Sequence, residues 1–218
     1  MKKRTALVLG ASGLVGQELV QQLLDSPHYT SVTILVRREM EWEDEKLQQK
    51  IVDFHILEQY EALFAADDVY SCLGTTIKKA KTKENFMKVD YEYTMRAAKL
   101  AEQHKVRNFL VISSMGADSK SLFFYSQVKG KVEAELKQLS IQGIHIFRPS
   151  LLLGDREEFR FGEKMAEKIS GVLPFLYKGV LEKYKPIEVK QVAKAMYETA
   201  LLDKTGIHIY ESREMANM

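Results

Sequence analysis

A tyrosine and a lysine four residues apart, in Tyr125-Ser126-Gln127-Val128-Lys129, have the spacing in this chain most suited to chemistry. On a helix, residues four apart share a face, so both side chains can enter a single site. A phenol with an ordinary pKa near ~10 is a poor acid–base catalyst at neutral pH. A nearby ammonium stabilises the phenolate, and each unit of depression corresponds to about 1.4 kcal/mol. Upstream, Ser113-Ser114 closes an apolar run. A hydroxyl at the carboxyl end of such a strand can hydrogen-bond a substrate carbonyl and hold it beside the phenol. Alone, Tyr-x-x-x-Lys occurs in many helices as a packed tyrosine and a surface lysine, so its weight rests on what precedes it.

What precedes it is a glycine turn, Gly10-x-x-Gly13-x-x-Gly16, between an apolar strand (Ala6, Leu7, Val8, Leu9) and an apolar helix. The first glycine permits the tight turn off the strand, the second lets backbone reach a pyrophosphate, and the third lets the helix pack close to the sheet. The helix N-terminus faces the phosphates with unpaired N–H groups and a positive partial charge. The spacing differs from the commoner fingerprint, which has one residue between its first two glycines. A second strand, Val32–Val36, ends on Arg37-Arg38, with no acid before Glu39. An NAD site places Asp or Glu there for the ribose 2′-hydroxyl, whereas a 2′-phosphate calls for arginine, whose planar fork of donors matches phosphate oxygens. The cofactor expected is NADP(H).

The elements that must position these groups alternate. Helix Leu14–Leu24 carries Leu19, Val20, Leu23 and Leu24 on one face and ends at Ser26-Pro27-His28. Glu39–Lys50 reads as a solvated connection, Lys50–Phe54 as strand three, Glu58–Phe64 as a short helix and Val69–Leu73 as strand four. A lysine-rich loop (Lys78, Lys79, Lys81, Lys83) reads as solvated, and Glu84–Lys105 is the longest helical pattern. Then come strand five at Asn108–Ser113, a helix over Tyr125–Leu139, strand six at Ile144–Arg148, helices at Phe161–Ile169 and Gln191–Leu202, and a last strand at Ile207–Tyr210. The alternation implies an α/β, doubly wound parallel sheet of Rossmann type. One domain over residues 1–218 is the economical reading, with the part from about residue 150 supplying the substrate side.

The chain of 218 residues can bury a sizeable core. A formal charge of +2 argues against strong general affinity for nucleic acid or a membrane surface. Cys72 is the one cysteine, which excludes an intrachain disulfide and suits a reducing, cytoplasmic setting. Met1–Arg4 looks superficially like the start of a signal peptide, but the apolar run after it breaks at Gly10 and serves better as strand one. No apolar run approaches transmembrane length. The five histidines are scattered without metal-ligand spacing, so no metal is expected.

Together, Gly10–Gly16, Arg37-Arg38, Val52-Asp53-Phe54, Cys72-Leu73-Gly74-Thr75-Thr76, Ser113-Ser114-x-Gly116-Ala117-Asp118, Tyr125-x-x-x-Lys129-Gly130 and Phe147-Arg148-Pro149 resemble the short-chain dehydrogenase/reductase superfamily. The likeness is to its atypical, extended-like group, and within that to the Tat-interacting-protein oxidoreductase branch, from about Arg4 to Leu202. The resemblance implies that Ser12, Gly13, Leu14 and Val15 approach the pyrophosphate and that Arg37 and Arg38 hold the 2′-phosphate. It places Asp53 near the adenine, and Leu73, Gly74 and Thr75 along the path to the nicotinamide. Tyr125 would be the proton donor, and Lys129 would bind the nicotinamide ribose and lower the tyrosine pKa. Ser114 would polarise the substrate, with Ser113 the runner-up, and Leu152 and Arg160 would close over the cofactor. Many extended-type relatives carry an asparagine where this chain has Asp90. The segment after strand six is also short beside that of sugar-nucleotide epimerases, which argues against sugar-nucleotide chemistry.

The expectation is an NADPH-dependent oxidoreductase acting on a small carbonyl or conjugated substrate. Phe123, Phe124, Leu151, Leu153 and Phe175 are candidates for an apolar substrate wall. The alternative is an NADPH-sensing regulatory protein that binds a protein partner with little turnover. Oligomeric state stays open, with a homodimer through the helices after strands four and five as one arrangement.

Overall fold

The structure is a computed structural model that describes residues 3–154 and 185–218. Its frame is a parallel sheet of seven strands in the order β3-β2-β1-β4-β5-β6-β9. The strands are β1 (Arg4–Leu9), β2 (Tyr29–Val36), β3 (Leu47–Ile51), β4 (Asp68–Ser71), β5 (Asn108–Ile112), β6 (Gly143–Arg148) and β9 (Gly206–Glu211). A separate pair joins β7 (Leu152–Leu153) to β8 (Ile187–Glu188). In the register, Ala6 lies between Val32 of β2 and Asp68 of β4. Strand order therefore reverses beside β1, and the crevice at the carboxyl ends of β1 and β4 is where such sheets take ligands.

Successive residues of β1 face opposite sides of the sheet. Ala6 and Val8 pack with Leu19, Val20 and Leu23 of α1 (Leu14–Asp25) and with Val192 and Met196 of α6 (Val189–Leu201). Leu7 and Leu9 pack on the other side with Phe64, Ala97 and Ala101, and Val132 and Leu136 of α5 (Phe124–Leu136) share that layer. Both faces being covered, the central strands read as continuous apolar runs rather than alternating ones.

Several expectations need correction. Strand three is Leu47–Ile51 rather than Lys50–Phe54, so the stretch Glu39–Lys50 is a connection only in part. This edge strand is polar because little covers it, and Gln49 turns its amide to the backbone oxygens of Met40 and Trp42. The helix expected at Glu58–Phe64 is a kinked 3-10 stretch, Phe54–Phe64, begun by Asp53, whose carboxylate accepts from the His55 N–H at 2.9 Å. The lysine-rich loop holds two short helices, α2 (Ile77–Ala80) and α3 (Lys83–Met87), capped by Thr76 and Thr82. The long pattern Glu84–Lys105 is one unbroken helical run, from α3 into α4 (Tyr93–Gln103), with a π turn at Lys88–Glu92 within it. The helix expected at Phe161–Ile169 lies outside the described residues.

At the amino ends of the strands, opposite the crevice, polar side chains are buried together. Asp68 accepts from Arg4, from Tyr29 at 2.7 Å and from Asn108 at 2.6 Å. Arg4 also donates to the Ala200 carbonyl and pairs with Asp203, which ties β1 and β4 to the end of α6. Each of these partners satisfies a group that would be costly to bury alone.

Candidate functional site

The glycine turn is built as its residue types require. Gly10 has φ +82°, and a Cβ there would stand 2.5 Å from the Cys72 carbonyl carbon, so the turn lies directly against the exit of β4. A Cβ on Gly16 would come within 2.2 Å of the Gly10 oxygen, which fixes how tightly α1 starts. Gly13 is the N-cap of α1 and offers no side-chain cap, leaving first-turn amides for a ligand.

From this turn a groove runs over the carboxyl ends of the strands. Its outer half encloses about 590 Å³, within the range of small-molecule sites. Gly10, Ser12, Arg37, Asp53, His55, Lys88 and Tyr93 line it. The inner half is lined by Leu14, Val15, Asp90, Ser113, Ser114, Tyr125, Lys129 and Leu152. Gly13, Leu73, Gly74 and Thr75 line both. Far apart in sequence as they are, these residues fall on one continuous surface, whereas Gly16 and Arg38 line neither half. Arg160 lies outside the described residues. A turn that admits only glycine and uncapped amides at the start of α1 are what the pyrophosphate of a dinucleotide needs.

Within the inner half the polar groups are organised by α5. Tyr125, Lys129 and Glu133 follow one another at four-residue spacing along it. The Tyr125 ring packs on Phe86, centroids 5.5 Å apart. The Lys129 ammonium is buried and lies 2.8 Å from a carboxylate oxygen of Asp90, itself buried; the other oxygen accepts from the Thr75 N–H at 2.8 Å. Burial pulls the Lys129 pKa down, but the negative charges around it, Asp90 foremost, win and hold it above its ordinary value.

The two serines do different things. Ser113 donates to Glu133 Oε1 at 2.5 Å, and Glu133 in turn takes Arg148 Nε at 2.9 Å and Nη2 at 2.5 Å. Arg148 reaches on to Glu211 of β9, so this strut joins β5, α5, β6 and β9 beneath the site. Ser114 is equally buried, lines the groove, and its Oγ has no hydrogen-bond partner among the described residues. Cys72 also lines the groove, and burial pushes its thiol up to about 12, so it is no thiolate at neutral pH.

Of the apolar wall, Leu151 lines the inner half. Phe124 packs instead on Phe86, Phe123 and Leu153 are exposed, and Phe175 lies outside the described residues. Sequence reasoning missed Glu133 and Arg148 as parts of the site, although Glu133 continues the four-residue spacing begun at Tyr125. It treated Asp90 only as a departure from relatives; an acid among the apolar residues of a helical pattern was the available signal.

Residues 10–168 match the model of a family described as NAD(P)H-binding. Protein HTATIP2 of Rattus norvegicus is 40% identical over 178 residues, covering 80% of this chain and 73% of that protein. Protein FMP52, mitochondrial, of Candida albicans is 32% identical over 203 residues, covering 90% and 87%. Among solved structures, a UDP-N-acetylglucosamine 4-epimerase from Methanobrevibacter ruminantium M1 superposes with a TM-score of 0.70 at 16% identity, over 97% of this chain and 77% of that one. MoeE5 in complex with UDP-glucose and NAD gives 0.70 at 15% identity, over 98% and 80%. At such identities the likeness to the solved structures is one of fold.

Proposed function

Because this chain belongs to the NAD(P)H-binding Rossmann family, in its atypical short-chain dehydrogenase/reductase group, we propose that it is an NADPH-dependent oxidoreductase for a small carbonyl or conjugated substrate. The observation that carries the reading is the Ser114 hydroxyl, buried without a partner in the groove that Tyr125 and Lys129 also line. A buried hydroxyl left unpaired costs roughly 1–3 kcal/mol, a cost that a substrate oxygen would remove on binding. Ser113, already committed to Glu133, is not available for that role.

Bound NADPH would supply the hydride. Gly10, Ser12, Gly13, Leu14, Val15 and Gly16 would hold its pyrophosphate, Arg37 its 2′-phosphate, and Asp53 with Tyr93 and His55 the adenosine end. Leu73, Gly74, Thr75 and Leu152 would flank the path to the reacting ring. Ser114 then donates a hydrogen bond to the substrate oxygen and orients it. Tyr125 gives that oxygen its proton, and Lys129 fixes the phenol and the cofactor ribose from below. A reducing compartment suits Cys72; the cytoplasm fits this, and the fungal relatives named as mitochondrial make cell fractionation the way to decide.

The test is NADPH oxidation across a panel of aldehydes, ketones and quinones, wild type against Tyr125→Phe. The expected result is turnover of at least one substrate, reduced a hundredfold or more in the variant with NADPH affinity retained. Tight NADPH binding without turnover of any substrate would favour the alternative, a nucleotide-sensing protein that signals to a partner.

A further inference from the structure

The Asp90–Lys129 pair is built into the fold more firmly than a surface ion pair. The π turn at Lys88–Glu92 falls within the helical run at the acid's own position, and π bulges are frequent at functional sites. Asp90 is left 1% exposed, with one carboxylate oxygen 2.8 Å from the Lys129 ammonium and the other holding the Thr75 N–H. A single acid thereby ties the ammonium to the exit of β4, where the groove's two halves meet.

We propose that Asp90 is a positioning residue that offsets the Lys129 charge, so that the Tyr125 phenol keeps its proton at neutral pH and the site is set to donate rather than abstract. A lone ammonium within about 4–6 Å draws a neighbouring acid's pKa down by about 1–3 units, and a carboxylate beside that ammonium opposes the shift. Reduction of a carbonyl needs the protonated phenol; oxidation of an alcohol needs the phenolate. The inference rests on the reductase reading for this consequence alone. Around the phenol and ammonium stand Asp90 and Tyr91 from the π turn, Glu133 on α5, Arg148 of β6 paired with Glu133, and Cys72 at the exit of β4. Lys83 of α3 lies over the adjacent Phe124 ring. Glu133 is already matched by Arg148, which leaves Asp90 as the carboxylate in contact with the ammonium. Because the Tyr125 and Lys129 titrations are coupled, the observable is the pH at which tyrosinate forms at residue 125.

The experiment is an ultraviolet tyrosinate titration of the full chain saturated with NADP⁺ and without substrate. Matching Tyr125→Phe proteins are subtracted, and wild type is compared with Asp90→Asn. The asparagine keeps an oxygen for the Thr75 N–H and removes the charge. The expected result is wild-type ionisation of Tyr125 above about pH 9, falling by one unit or more in Asp90→Asn. A wild-type phenol titrating at or below about pH 9, or a variant shift smaller than one unit, overturns the proposal. Should Asp90→Asn fail to fold, the wild-type value decides alone. Since no turnover is measured, failure here leaves the reductase reading standing, and an absence of substrates leaves this result intact.

Discussion

Gly130 follows Lys129 on α5 and sits where the helix crosses the loop that carries Ser114. A Cβ at this position would stand 2.1 Å from the Ser119 nitrogen, 2.2 Å from the Asp118 carbonyl carbon and 2.6 Å from its Cα. All three atoms are backbone, so no side chain can swing aside. In an exposed helix, glycine to alanine would stabilise by about 1 kcal/mol through helix propensity. Here the overpacking cost of about 1–3 kcal/mol, occasionally more, applies at its upper end, because helix and loop must separate. The net for Gly130→Ala is a destabilisation of about 2 kcal/mol, or a fall in Tm of roughly 4–8 °C for a chain of this size. The loop is held to α5 by the Asp118 N–H on the Ser126 oxygen and to Ser114 by the Ala117 N–H. Its displacement should therefore lower activity as well as stability. Thermal unfolding with NADPH oxidation on the same samples makes the measurement. An unchanged or higher Tm in Gly130→Ala would refute the reasoning.

Asp68→Ala should cost about 3 kcal/mol in urea unfolding, the low end for breaking a buried pair, because Arg4 keeps Asp203 at 2.6 Å; a loss under about 1 kcal/mol would contradict the buried pairing. His145 is buried and held neutral, first by burial and then by repulsion from His208 and Lys204, with its pKa down to about 4. The unfolded chain therefore binds the extra proton sooner, so this contribution is intact above about pH 6.5 and is lost at roughly 1.4 kcal/mol per unit down to about pH 4. A Tm-against-pH profile should show that acid slope in wild type and a shallower one in His145→Gln. Arg37→Ala should weaken NADPH about tenfold or more while leaving NADH unchanged, read by cofactor fluorescence titration.

The parallel sheet was legible because its central strands are apolar runs set off by glycine and serine. The turn at Gly10–Gly16 and the Tyr125/Lys129 spacing were legible because local geometry alone dictates them. What escaped depends on contacts between distant segments. Edge strand β3 lacks an apolar face to announce it, and Gln49 does by side-chain hydrogen bonds what burial does elsewhere. The π turn at Asp90 leaves the hydrophobic pattern of Glu84–Lys105 nearly intact, so periodicity reads straight through it. The division of labour between Ser113 and Ser114 is set by Glu133, twenty residues away, and no spacing rule contains it.

The most direct measurement is a calorimetric titration of the full chain with NADPH, and with NADH alongside. One saturable NADPH site at least tenfold tighter than NADH is the expected outcome. No uptake of NADPH, or NADH held as tightly, would contradict the assignment of the groove.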